Sequence, residues 1–174
     1  MNELVIREVA AHDIPRITAI YNHYVRTATV TFDEVDSTED AWADKAARIR
    51  AAGIPFLVAA SAEGDLLGYA LGQPWSPKSA YRFTVENSIY LAPEAAGRGI
   101  GTRLLAAFLD AARVAGLHQV IAVIADEGAD ASLALHRRAG FVDAGHLTRT
   151  GLKFGRQIGV RFLQLELTAQ PNPE

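Results

Sequence analysis

The sequence predicts an α/β protein with a mixed, mostly antiparallel central sheet flanked by helices. Two observations support this prediction. In the first half of the chain, short apolar segments are joined by a glycine-containing turn, which is typical of an antiparallel hairpin. In the second half, apolar segments alternate with helical patterns in β-α-β order. The combination implies a mixed sheet with helices on its faces.

The first third of the chain predicts one strand followed by two helices. Residues 4–9 form a short apolar segment typical of a strand. Asp13 can then cap a helix, and Pro15 is tolerated in its first turn. A second helix is predicted to open at residues 37–40 and to end at Gly53.

The middle of the chain predicts a hairpin and one further strand. Residues 56–60 and 66–71 are apolar, and the turn between them, 63–65, contains a glycine. Residues 83–91 predict the next strand, which ends at Pro93.

The last part of the chain predicts two helices that alternate with two strands. An apolar helix follows a glycine-rich turn and ends at Gly116. A β-branched strand is predicted over residues 118–125, a helix over residues 131–139, and a final strand over residues 159–167.

The composition is that of an ordinary globular protein. The 174 residues are enough for one domain with a substantial core, which we expect over residues 1–168, followed by a disordered tail over residues 169–174. The formal net charge of −3 gives no indication of a nucleic-acid or membrane surface. The lack of cysteine excludes disulfides and a thiol nucleophile, and the histidines show no metal-ligand spacing. With no signal-peptide pattern or membrane-length apolar run, we expect a cytoplasmic protein.

Three glycines separate the strand over residues 83–91 from the helix that follows. They are Gly97, Gly99 and Gly101. Glycine allows a backbone to approach a ligand closely, and the free N–H groups at a helix N-terminus suit a phosphate. The alternative is a tight turn without a ligand. A P-loop is excluded because no Lys-Ser/Thr pair follows, and a Rossmann turn would follow the first strand instead.

The segment 96–101 resembles the pyrophosphate loop of the GNAT superfamily of acyl-CoA N-acyltransferases. That loop reads Gln/Arg-x-x-Gly-x-Gly/Ala, and Ala96 departs from it at the first position. Four further segments are similar to the phosphinothricin and methionine-sulfoximine N-acetyltransferase branch, and together with the loop they span almost the whole chain. They are residues 29–32, 80–91, 131–141 and 151–156. Two further departures are Ala129 in place of Asn and Gln157 in place of Trp.

The resemblance implies the GNAT fold, acetyl-CoA as co-substrate and direct transfer of the acetyl group to an amine. The residues expected at acetyl-CoA lie on the strand end, the glycine turn and the later helix. They are Ile89, Tyr90, Leu91, Gly97, Arg98, Gly99, Ile100, Gly101, Thr102 and Ser132.

Three residues are the candidates for catalysis. Glu86 matches the glutamate regarded in the family as the base that removes a proton from the amine. The resemblance points to the backbone N–H of Leu91 as the oxyanion donor. His136 lies near the place where many members carry a tyrosine that protonates the departing thiolate. The alternatives are an exposed strand glutamate and a packed helix histidine.

Arg82 is the candidate for binding the carboxylate of the acceptor. It lies four residues before Glu86, so strand periodicity predicts that both side chains share one face. The alternative is a surface arginine paired with an acid. Thr31, Phe32 and Trp75 are expected to line the apolar part of the pocket, although isolated aromatic residues are more often core. Lys153 and Phe154 are expected to complete it across a homodimer interface, as the resemblance implies.

The function that follows is acetylation of the primary amine of a small amino-acid-like acceptor. The acceptor would be an L-amino acid, methionine sulfoximine or sulfone, or phosphinothricin. One alternative is a polyamine or protein-amine acetyltransferase, for which Asp33, Glu34 and Asp36 would attract a cation. Another is a non-catalytic acetyl-CoA-binding module, which Ala96 and Ala129 make conceivable.

Overall fold

The computed structural model describes residues 4–167 and shows helices on both faces of one sheet. The predicted tail over residues 169–174 lies outside the described residues. The strands are β1 (Val5–Glu8), β2 (Phe56–Ala60), β3 (Leu66–Pro74), β4 (Thr84–Leu91), β5 (Gln119–Ala125), β6 (Val142–Lys153) and β7 (Arg156–Glu166). The helices are α1 (Ile14–Thr27), α2 (Glu39–Ala51), α3 (Ile100–Val114) and α4 (Asp130–Arg138).

The seven strands lie in the order β1-β2-β3-β4-β5-β7-β6. All neighbouring pairs are antiparallel except β4 and β5, which are parallel. The predicted fold class, α/β with a mixed and mostly antiparallel sheet, is therefore confirmed.

The sheet opens between its two parallel strands. The ladder between β4 and β5 ends where Asn87 pairs with Ala122. Beyond that point β4 continues to pair with β3 as far as Leu91, while β5 continues to pair with β7 as far as Ala125. The two strands therefore diverge, and a wedge-shaped opening lies between their carboxyl ends.

The helices divide between the two faces of the sheet. On one face, Tyr21 of α1 packs edge-to-face on Tyr90 of β4, with ring centroids 5.4 Å apart. On the other face, Gly72 of β3 approaches Phe108 of α3 and Val85 of β4. Side chains alternate along a strand, so Val85 and Tyr90 point to opposite faces. Within residues 4–167, no helix is both long and apolar enough to cross a membrane.

Local contacts cap α2 and hold the segment that leads into α1. The Thr38 hydroxyl accepts a hydrogen bond from the Ala41 N–H at 3.1 Å and caps α2. Asp13, which is buried before α1, accepts bonds from the Arg7 guanidinium at 2.7 and 2.8 Å and from the Ala10 N–H at 2.8 Å. These bonds join β1 to the start of α1, but the Asp13 side chain makes no capping bond to α1, so the predicted cap is not formed.

Strand β6 is absent from the sequence-based prediction, which placed no element between α4 and the last strand. Ten of its twelve residues are exposed, because it lies at the edge of the sheet with β7 as its one neighbour. Its pairing also shifts register twice, near Gly145 and again before Gly151. These shifts break the period-two alternation by which a half-buried strand is recognised.

Candidate active site

Two cavities meet at the opening between β4 and β5. The larger, about 570 Å³, extends from the opening to the glycine turn and α4. The smaller, about 290 Å³, lies on the face covered by α1 and α2. Val30, Ser88, Tyr90 and Val123 line both cavities. A molecule in one cavity therefore reaches a molecule in the other at these four residues.

The glycine turn shapes one end of the larger cavity. Gly97 and Gly99 have φ values of 74° and 75°, a left-handed conformation that other residues adopt at a cost. The first bond of α3 runs from the Arg103 N–H to the Gly99 carbonyl at 3.3 Å, so the preceding amides have no helical partner. Free amides at a helix start fit the pyrophosphate of a nucleotide.

The predicted cofactor residues differ in how they meet this cavity. Arg98 is exposed and the Ile100 side chain is buried in the core, so neither side chain lines the cavity. The other eight do line it. They are Ile89, Tyr90, Leu91, Gly97, Gly99, Gly101, Thr102 and Ser132.

The end of β4 directs one backbone N–H into the opening. In the β3–β4 ladder, the Ala92 N–H donates to the Leu67 carbonyl at 2.8 Å. Antiparallel pairing alternates, so the N–H of Leu91 points away from β3, towards the diverging strand. The Leu91 carbonyl accepts a hydrogen bond from the Tyr24 hydroxyl at 2.8 Å. This strand end is thus held in place with a free donor beside the cavity.

His136 is buried on α4 and lines the larger cavity. Its Nδ1 lies 2.8 Å from the Ser132 carbonyl, and its Nε2 lies 3.2 Å from the Asn87 amide nitrogen. Burial lowers the pKa of His136, against the opposing effect of the Ser132 carbonyl. The neutral ring therefore carries its proton on Nδ1 and accepts at Nε2. In this arrangement it directs no N–H into the cavity.

Asn87 leaves one polar atom unsatisfied. Its side chain is buried and lines the larger cavity, and its Oδ1 has no hydrogen-bond partner within residues 4–167. A buried acceptor without a partner is costly, which favours a ligand N–H at this place. Ala129, where the resemblance led us to expect Asn, also lies on the cavity wall and offers no polar side chain.

Glu86 lines the smaller cavity, on the same face of β4 as Ser88 and Tyr90. Burial raises the pKa of its carboxyl, and the nearby Lys45 opposes that rise. A carboxylate with a raised pKa is a better acceptor of a proton near neutral pH. Glu86 therefore lies in the smaller cavity, two residues along β4 from Ser88, which lines both cavities.

Sequence reasoning did not identify two residues of α2 in the smaller cavity. Lys45 lines it, and its ammonium lies 4.5 Å from the centroid of the Trp42 ring. Trp42 also lines it and is buried, and its indole Nε1 has no partner within the described part of the chain. Their spacing of three residues places them on one helix face, but such a pair is ordinary in an amphipathic helix.

The loop between α1 and α2 forms the wall of the smaller cavity. Thr31 and Phe32 both line it. The Thr31 hydroxyl lies 2.9 Å from the Tyr21 hydroxyl, and the Thr31 carbonyl accepts a bond from Lys153 Nζ at 2.8 Å. Lys153 is buried, and burial lowers the pKa of its ammonium. It supports this loop from beneath and does not line either cavity.

Besides Lys153, three further predicted acceptor residues lie outside both cavities. Phe154 is 54% exposed in the turn between β6 and β7. Trp75 follows β3, with its ring edge-to-face on Phe162 at 6.3 Å. Arg82 precedes β4, so the prediction that strand periodicity places it beside Glu86 is wrong. Its guanidinium lies 4.5 Å from the Phe83 ring centroid.

The acids expected to attract a polyamine are partly neutralised. Asp36 forms an ion pair with Arg26, and Asp33 accepts a hydrogen bond from the Tyr21 hydroxyl. Neither they nor Glu34 line the smaller cavity. In residues 4–167 no group of three or more His, Cys, Asp or Glu residues is arranged to hold a metal ion.

Comparison with known proteins gives consistent matches. The model of the acetyltransferase (GNAT) family matches residues 17–141. The chain is 44% identical to a phosphinothricin N-acetyltransferase of Alcaligenes faecalis, covering 94% of this chain and 83% of that protein. It is 42% identical to an L-methionine sulfoximine/L-methionine sulfone acetyltransferase of Pseudomonas paraeruginosa, covering 93% and 94%. A phosphinothricin acetyltransferase of Sinorhizobium meliloti, solved with acetyl-CoA, superposes with a TM-score of 0.90 at 39% identity, covering 94% of this chain and 88% of that one.

Proposed function

This chain belongs to the GNAT acetyltransferase family, and we propose that this acetyl-CoA-dependent N-acetyltransferase acts on the primary amine of a small amino-acid-like acceptor. The observation that carries the proposal is the meeting of two cavities at the split in the sheet, with Glu86 in the smaller one. The relatives named for phosphinothricin and methionine sulfoximine support the acceptor class.

The larger cavity suits acetyl-CoA along its length. The amides at the start of α3 would hold the pyrophosphate, with Gly97 and Gly99 allowing close approach. The unpaired Asn87 Oδ1 would accept a hydrogen bond from an amide N–H of the pantetheine arm. The thioester supplies an activated acetyl group, and the protein supplies position and charge.

Glu86 is the proposed base. An amine arrives mostly as an ammonium ion, so a proton must leave before the nitrogen attacks. Glu86 would accept that proton, directly or through one water. The free Leu91 N–H would stabilise the negative charge that develops on the acetyl oxygen.

His136 receives a positioning role in this proposal. Both of its ring nitrogens are engaged by Ser132 and Asn87, so the neutral ring has no proton to offer the departing thiolate. It would instead orient Asn87 at the cofactor and fix α4 against β4.

Thiol release from acetyl-CoA tests the proposed acceptor class. The panel contains the common amino acids, methionine sulfoximine, phosphinothricin, spermidine and a lysine peptide. We expect turnover confined to the amines that carry an acidic group. Faster turnover of spermidine or the peptide would favour the polyamine or protein-amine alternative. Bound acetyl-CoA without turnover on any amine would favour the non-catalytic module.

Three sequence-based expectations stay predictions. They are the single domain over residues 1–168, the cytoplasmic location and the homodimer. For the homodimer, the surface that a second copy would cover is the apolar edge formed by Val142, Leu147, Leu152 and Phe154, all of which are exposed.

A further inference from the structure

The smaller cavity carries one acid and one base. Glu86 of β4 and Lys45 of α2 both line it, yet they form no ion pair or hydrogen bond with each other or with any other side chain of residues 4–167. Charged side chains that are both partly buried usually pair. Two unpaired opposite charges in one cavity match a zwitterion, whose ammonium would lie at Glu86 and whose carboxylate would lie at Lys45.

We propose that Lys45 anchors the carboxylate of the acceptor and so determines the specificity of this enzyme for amino acids. The inference rests on the proposed function and deepens it. Arg82, the cation expected from the sequence, lies outside the cavity, so Lys45 is the cation that lines it.

A second observation on the same helix supports this assignment. The Trp42 indole Nε1 is buried and unpaired in the described chain, and Trp42 lines the same cavity. The ammonium of Lys45 lies 4.5 Å from the centroid of the Trp42 ring, so the two side chains line the cavity together from one face of α2. A carboxylate can only accept hydrogen bonds, and Lys45 supplies the donors.

Lys45 is partly desolvated in the smaller cavity and has charged neighbours of both signs. Burial lowers the pKa of Lys45, Asp33 and Glu86 oppose that effect, and Arg48 adds to it. The bound carboxylate would restore a partner for the desolvated ammonium. A polyamine would place a further cation beside it, so the same residue disfavours such acceptors.

Kinetics with matched acceptors test the proposal. The acceptors are methionine sulfone and its carboxamide, which keeps the amine and loses the anion. For Lys45→Met we expect kcat/KM for the acid to fall about 10- to 150-fold, the usual range for a hydrogen bond to a charged group, mainly through KM. The value for the carboxamide should change by less than about threefold. Lys45→Arg should retain most of the activity on the acid because it keeps the charge.

The exposed Lys78 provides a control variant, since it lies outside both cavities. Lys78→Met should leave both acceptors unaffected, and acetyl-CoA affinity by calorimetry should be the same in every variant. Equal losses on acid and carboxamide would overturn the proposal, because Lys45 would then act through Glu86. An unchanged kcat/KM of Lys45→Met for methionine sulfone would overturn the proposal as well. A wild-type protein inactive on every amino acid would overturn the proposed function itself, and this inference with it.

Discussion

At His136 the hydrogen bonds decide which ring nitrogen carries the proton. The contacts to the Ser132 carbonyl and the Asn87 amide define a neutral ring protonated on Nδ1. Gln can replace the accepting Nε2 with its own carbonyl oxygen. We therefore expect His136→Gln to keep kcat/KM within about tenfold of the wild type, whereas loss of a general acid costs about 10²- to 10⁴-fold. Steady-state thiol release measures this.

The pH dependence of stability gives an independent test of the same residue. Burial lowers the pKa of His136 in the folded protein below its ordinary value of about 6.5. At pH values between these two pKa values, the unfolded chain therefore binds more protons than the folded protein. Stability from the neutral ring is thus fully present above about pH 6.5 and is lost as pH falls below it. Urea unfolding measures the free energy of unfolding of the wild type and of His136→Gln. The difference between these two free energies should shrink as pH falls below about 6.5. A constant difference would contradict a buried neutral ring.

Single residues also show what the sequence could and could not predict about the site. Glu86 was identifiable because it lies in a recognisable segment on a strand. Arg82 was misplaced because the strand begins two residues later, at Thr84. Lys45 was missed because a helix lysine carries no signal of its own, and its position in the cavity depends on how α2 packs against the sheet.

At the scale of elements, β6 supports the wall of the smaller cavity. A Cβ at Gly151 would lie 2.3 Å from the Phe32 ring, so this ring rests directly on the strand backbone. We expect Gly151→Ala to displace Phe32 and lower kcat/KM for the acceptor about tenfold, within the usual cost of overpacking. Acetyl-CoA affinity should be unchanged, since Phe32 lines the smaller cavity and not the larger one.

The same strand offers a control. At Gly145 a Cβ would meet the Phe162 ring at 3.9 Å, an ordinary contact, so Gly145→Ala should behave like the wild type. Equal kinetics of the two variants would show that β6 does not shape the cavity.

The elements that the sequence predicts well are those with strong periodic patterns. Helices α1 and α3 bury one face, α3 is closed by a glycine turn at Gly116, and β2 is apolar throughout. Strand β6 has neither property, because its edge position leaves most residues exposed. The support that β6 gives to the Phe32 ring depends on contacts between segments that are distant in the sequence, and a local sequence pattern does not contain such contacts.

For the whole molecule, the split between β4 and β5 is the feature at which the two cavities meet. The sequence predicts a mixed sheet, because hairpins precede β-α-β order. It does not predict where the parallel pair diverges, since this depends on β7 continuing along β5 after β4 has separated. The split lets the larger cavity and the smaller cavity, which α1 and α2 cover, share four wall residues.

The central claim is that Glu86, which lines the smaller cavity on the same strand face as the shared wall residues Ser88 and Tyr90, is the base. The most direct test is the pH profile of kcat/KM for the wild type and Glu86→Gln, with the exposed hairpin variant Glu63→Gln as control. We expect Glu86→Gln to lose about 10²-fold or more while it still binds acetyl-CoA. The wild type should lose activity as pH falls through a pKa above the ordinary glutamate range, because burial raises the pKa of Glu86. The account would be contradicted if Glu86→Gln kept the wild-type kcat/KM and the same loss of activity at low pH.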